Sequence, residues 1–211
     1  MLRRVRPALL VTALALPCLA NAFTVAISPG PRAVYLRVGT GGYTGRPYSQ
    51  NSNTLRDNGT VNLVSLDVPA AQVGNGSDLP MTVDGGSAQL VSHWDNFTFC
   101  NAGQVYIGGF YRFSDASGGA GATLTVSMEP LSNGAGDVIA PSQISWTTSG
   151  NGDGTNPQPI PAGAFTGGSQ SLAVFPRNSW RESCMTFRYG NDTVVGAGTY
   201  RATATYTLTA P

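Results

Sequence analysis

The chain contains no lysine and a single histidine, His93. Without lysine there is no Schiff-base chemistry, no lysine nucleophile, no phosphate-loop lysine and no Lys–Asn isopeptide staple. One histidine cannot anchor a zinc cluster, which takes three or four N, S or O ligands. It is also the one base open to a Ser-His-Asp arrangement, and no G-x-S-x-G elbow accompanies it. Charge is sparse, at 11% of residues, with twelve Arg against eleven Asp plus Glu. No basic cluster is present, which argues against nucleic-acid binding and against recruitment to anionic membranes. No apolar run beyond the N-terminus reaches 18 residues, so no membrane span is expected in the mature chain. A lysine-free composition rich in Ala, Gly and Thr fits a bacterial protein from a GC-rich genome, and the sequons at Asn58, Asn75, Asn96 and Asn191 then read as chance matches.

What is present begins with MLRRVRPALLVTALALPCLANA. Arg3, Arg4 and Arg6 precede a short apolar run, Leu9 to Leu19, and Ala20-Asn21-Ala22 has the form that signal peptidase cuts. Residues 1–22 are expected to be a cleaved signal peptide and 23–211 one domain, exported to the periplasm, cell surface or medium. Pro17 before Cys18 does not fit a lipoprotein signal. Cleavage removes three of the twelve Arg, so nine face eleven acidic residues and the formal charge becomes −2. Cys100 and Cys184 remain. In an exported chain such a pair reads as one disulfide, and a loop this long makes it worth about 4 kcal/mol. A metal pair is the alternative, without CxxC spacing to support it.

Helical periodicity is nearly absent. Short alternating runs separated by Gly, Asn, Asp, Pro and Ser predict an all-β fold. It should be a two-layer antiparallel β-sandwich, Ig-like or jelly-roll, of about ten strands. The strongest runs are AVYLRV (33–38), GQVYIGGFYRF (103–113), ATLTVSM (122–128), QISWTTS, QSLAVFP, SCMTFRY and the terminal GTYRATATYTLTAP. FTVAI (23–27), TVNLVSLDV (60–68) and DNFTFC (95–100) also read as strands. The Gly108-Gly109 pair marks a bulge or a close backbone approach. The two cysteines adjoin β-like segments, so the bridge should pin two strands or their ends.

Chemistry-bearing residues are few. His93, in SHWDNF, reads either as a hydrogen-bonded strand-end histidine or as a base. Glu129 and Glu182 are the only glutamates and read as solvated turn residues; a carboxylate pair would be needed for glycoside hydrolysis. NGDGTN (151–156) places oxygens at alternate positions, as calcium loops do, but lacks the bidentate Glu, and reads equally as a Gly/Asp/Asn turn. Tyr43, Tyr48, Trp94 and Trp180 lie in polar or turn-rich contexts and could form a sugar platform. For Trp180, between Arg177 and Arg181, a cation–π cluster is the structural alternative. No catalytic residue, metal site or cofactor is expected.

The closing run GAGTYRATATYTLTAP resembles the last strand of chaperone–usher pilus subunits, with Tyr200, Ala202, Ala204, Tyr206 and Leu208 on one face and the Thr residues on the other. FTVAISPGPRAVYLRV resembles the start of alpha-type fimbrial subunits. The resemblance implies Phe23, Val25 and Ile27 as donor-strand residues, the terminal strand as an assembly edge, and a periplasmic chaperone and further subunits as partners through strand addition. The spacing of the two cysteines departs from that pattern. The expected function is thus non-enzymatic: a structural or adhesive surface protein of pilin-like type. A self-contained carbohydrate- or surface-binding module is the alternative.

Overall fold

A computed structural model describes residues 25–39, 43–45, 62–84, 90–114 and 119–211. The expected signal peptide, Phe23 and Tyr48 lie outside the described residues, as does the Tyr43 side chain. In chain order the strands are β1 (Val25–Ala26), β2 (Ala33–Val38), β3 (Tyr43–Gly45), β4 (Leu63–Ser65), β5 (Leu79–Pro80), β6 (Thr82–Asp84), β7 (Val105–Arg112) and β8 (Ala122–Met128). There follow β9 (Leu131–Ser132), β10 (Val138–Ile139), β11 (Ile144–Ser149), β12 (Gly163–Ala164), β13 (Gly168–Phe175), β14 (Ser179–Tyr189) and β15 (Ala204–Thr209). No described helix is long and apolar enough to cross a membrane.

The fold is an antiparallel β-sandwich. The larger sheet runs β12-β11-β14-β7-β2-β3, with β1 and β5 also paired to β14. The smaller sheet runs β13-β8-β15. β8 alternates without a break: Ala122, Leu124, Val126 and Met128 are buried, and the threonines and serine between them are half-exposed. That is the period-2 pattern of a strand with one face on a core. Leu124, Val126 and Met128 pack in one cluster with Leu172 and Phe175 of β13 and with Ile107, Met185 and Phe187 of the larger sheet.

β7 does not alternate; Val105 to Tyr111 are all buried. Both faces of the larger sheet are covered, so its central strand reads as a continuous apolar run. Val105 and Ile107 point into the inter-sheet core. Tyr106 and Phe110 point the other way, into a second cluster with Tyr35, Phe99, Trp180 and the two cysteines. Registers across β7 are unbroken through Gly108 and Gly109, so no bulge forms. The glycines instead permit close approach. A Cβ at Gly109 would lie 2.6 Å from the Tyr35 carbonyl oxygen, and one at Gly108 would lie 2.2 Å from the Tyr106 hydroxyl.

Two expectations are corrected. DNFTFC is not a strand: Asp95 Oδ1 accepts a hydrogen bond from the Phe97 amide at 2.9 Å, Asn96 has φ 62°, and pairing is reduced to one bridge, Val91 with Thr98. The side chain–backbone bond competed successfully with the ladder. The Cys100–Cys184 disulfide therefore ties a loop to the middle of β14 rather than joining two strands, across a separation of 84 residues.

The terminal strand pairs with β8. Ala204, Tyr206 and Leu208 pack on the inter-sheet core, and Thr205, Thr207 and Thr209 are exposed. Ala202 is exposed and precedes the strand; Tyr200 packs against the same core, its hydroxyl donating to the Gly196 carbonyl at 2.8 Å. The described part of FTVAI, Val25–Ile27, meets β14, not the terminal strand: Val25 pairs with Trp180, and Val25 and Ile27 are buried in the second cluster.

Candidate functional site

Among the described residues, the side of the larger sheet away from β8 is covered by the segment 90–104 together with Val25 and Ile27. Alternation along β14 sends Trp180, Glu182 and Cys184 to this side and Met185 and Phe187 to the inter-sheet core. Glu182 is therefore a mid-strand residue, opposite Gly108 in β7, and not the solvated turn residue expected. Arg37 of β2 lies opposite the same glycine on its other side. Gly108 leaves the space across which the Tyr106 ring reaches from its own position to Glu182.

Three donors converge on one carboxylate oxygen. Glu182 Oε2 accepts from the Tyr106 hydroxyl at 2.6 Å, from Trp180 Nε1 at 2.7 Å and from the Ser92 hydroxyl at 2.9 Å. The directions are unambiguous. The Tyr106 oxygen accepts the His93 amide at 3.1 Å and the Ser92 oxygen accepts the Trp94 amide at 3.1 Å. Each hydroxyl proton is thereby left for Glu182, and an indole N–H only donates. Oε2 is saturated. Oε1 has no hydrogen-bond partner among the described residues, and Glu182 as a whole is half-buried. Burial raises the Glu182 carboxyl above its ordinary pKa, the three hydrogen bonds pull it down, and the charge of Asp95 pushes it up. The Tyr106 hydroxyl is raised well above its ordinary value by burial first and by Glu182 second.

Above this carboxylate sits a braced turn. The Ser92 amide donates to the Phe97 carbonyl at 2.8 Å, and the Asn96 amide donates to the Ser92 carbonyl at 3.1 Å. His93 is exposed, but its Nδ1 lies 2.6 Å from the hydroxyl of buried Tyr35. Partial burial, and then Arg37, lower the His93 pKa to about 4. The ring is thus neutral at ordinary pH, and its tautomer sets which of Nδ1 and the Tyr35 hydroxyl donates. Trp94 is half-exposed and lies 6.0 Å from the Trp180 ring. Phe97, at the end of the turn, is 51% exposed. From below, the Asn151 amide donates to the Phe99 carbonyl at 2.8 Å, and the disulfide holds Cys100.

The structure thus brings two of the four expected aromatic residues together. Trp94 is half-exposed and packs against the second cluster. Trp180 is only 5% exposed and acts through Nε1, stacked among Tyr35, Phe110 and Trp94. The expected cation–π alternative falls elsewhere: the Arg177 guanidinium lies 4.4 Å over Phe113. Tyr43 is on β3, beside Arg37 of β2. Residues 151–156 form a hydrogen-bonded turn, with Asp153 Oδ2 accepting from Gln158 Nε2 at 2.7 Å; among the described residues no group of three or more His, Cys, Asp or Glu could hold a metal ion. Sequence reading missed Glu182, Ser92, Tyr106 and Phe97. The only signal was Glu182 at an even position between Trp180 and Cys184, which places it on their face if the run is one strand.

No protein-family model matches this chain, and no curated protein or solved structure matches it at a significant level.

Proposed function

We propose that the chain is an exported, non-enzymatic adhesive protein, a self-contained β-sandwich that binds carbohydrate through the Ser92–Phe97 turn. One observation carries this reading: half-exposed Trp94 and exposed Phe97 share a single short turn that is clamped to the sheet from beneath. Rigid aromatic faces beside a few fixed polar groups are the usual furniture of a small-molecule site. The mature chain passed over cellulose, chitin and starch columns should be retained on at least one, and Trp94→Ala and Phe97→Ala should abolish retention. Wild-type flow-through on all three would sink the reading.

A second reading, the fibre subunit, is favoured by β15, which is paired on one side only among the described residues. Against it, Val25 and Ile27 are seated in this chain's own core and would have to leave Trp180 to serve another copy. A fibre subunit would give an SDS-resistant ladder that disappears when residues 23–27 are deleted; a monomer at all concentrations excludes it.

A further inference from the structure

Independently of the carbohydrate reading, we infer that β15 is a docking edge for a second copy of this chain, the two terminal strands pairing antiparallel about a twofold axis. A sheet edge pairs with another chain unless it is kept short, bulged or charged. Among the described residues the larger sheet ends in β12 and β3, strands of two and three residues. β13, at one edge of the smaller sheet, is broken by a register shift between Ser171 and Ala173. It is entered through Gly167 and Gly168, at φ 81° and 60°. β15, at the other edge, has none of these devices. It runs six residues in unbroken register on β8, without a charge, a proline or a glycine. No described strand pairs with its outer side. The core is also thinly covered here: Ala204, Tyr206 and Leu208 are half-buried, whereas Met128, Val126 and Leu124 opposite them are buried. One further strand on this edge would cover that row.

The strand is complementary to itself. With Thr207 on the axis, Thr205 faces Thr209 and Tyr206 faces Leu208, so hydroxyl meets hydroxyl and apolar side chain meets apolar side chain. The axis is normal to the sheet, so two three-stranded sheets join into one of six strands. Both Ser92–Phe97 turns then lie on the same side of the pair. Bulged β13 is left at both outer edges, which closes the assembly at two copies.

Sedimentation velocity of the mature chain over a dilution series tests this, with thermal unfolding as the control for folding. The wild type should dimerise with a dissociation constant on the order of 10 μM, as suits a small edge contact. Thr207→Arg sets like charges against each other on the axis and should weaken the dimer about tenfold or more. An equimolar mixture with Thr207→Glu should restore association as a mixed dimer. Ser171→Arg, exposed on β13 at the far edge of the same sheet, should leave the dimer intact. A wild type still monomeric at about 1 mM overturns the pairing, and so do species larger than a dimer. It is overturned equally by a dimer that survives Thr207→Arg, by a mixture that stays monomeric, or by dissociation through Ser171→Arg. If the Thr207 variants fail to fold, amide exchange of the wild type is followed on dilution. β15 should lose protection while β13 does not, and unchanged protection of β15 overturns the pairing.

Discussion

The two faces of the larger sheet are held by different physics. One packs against a second sheet through Leu124, Val126, Phe175, Ile107 and Met185, aliphatic and aromatic side chains excluded from water, with few polar atoms among them, such as the Tyr206 hydroxyl on Met185 Sδ at 3.6 Å. The other is roofed by a loop, and its cluster mixes Tyr35, Tyr106 and Trp180 with a disulfide and a carboxylate. A sheet satisfies its own backbone and can seal a core; a loop cannot, so its groups are tied down one hydrogen bond at a time. Polar chemistry therefore collects under the loop, around the Glu182 carboxylate.

The comparison breaks most visibly at the disulfide. The double substitution Cys100→Ser, Cys184→Ser should cost about 4 kcal/mol of stability in urea unfolding and should loosen the segment 90–104 before the inter-sheet core. Hydrogen exchange reads the order; simultaneous opening of both faces would show them to be one cooperative unit. Leu124→Ala attacks the other face and should cost about 3 kcal/mol through the cavity it leaves. Its near-ultraviolet circular dichroism should keep the signal of the Trp94–Trp180 pair, and loss of that signal would mean that the faces are coupled.

Smaller effects sharpen the contrast. Trp180→Phe keeps a stacked ring but removes one donor from Glu182, and should cost about 1.5 kcal/mol in the same unfolding assay. The smallest expected effect is in the pH profile. His93 is depressed to about 4 from 6.5, so the stability it contributes is present above pH 6.5 and is lost as pH falls through 4. NMR of the imidazole should show it neutral at pH 5.5, and an apparent pKa above 6 would remove the Tyr35–Nδ1 arrangement. Glu182 has the opposite sign: its carboxyl is raised, so its contribution is full below the ordinary carboxylate value and is lost as pH rises through the folded value. Glu182→Gln should flatten that slope alone.

The legible parts of the fold were runs whose pattern fits a strand, either alternating as in β8 or with both faces covered as in β2. AVYLRV and ATLTVSM end where β2 and β8 end, and the Ala204–Leu208 alternation survives as half-buried against exposed. The illegible parts were those where a side chain overruled the pattern. Asp95 and Asn96 turned DNFTFC into a bend, and the Gly108-Gly109 pair left open whether the backbone bulged or merely approached its neighbours. The site was half legible. Trp94 and Trp180 stand out as residue types in an exported β protein, whereas Glu182, between Arg181 and Ser183, carries no local mark of its role.

Composition and periodicity by themselves determined the antiparallel sandwich, its cysteine pair and the sides taken by the terminal strand, because a period of two and a scarcity of charge are local properties of a chain. Only the tertiary structure decided that Val25 and Ala26 lie on β14 and that the terminal strand lies on β8. It also decided that Ser92, Tyr106 and Trp180 meet at a single carboxylate oxygen. Those residues are separated along the chain by up to 90 positions, and the long-range register that joins them is set by which faces of β7 and β14 are covered, which no short stretch of sequence contains.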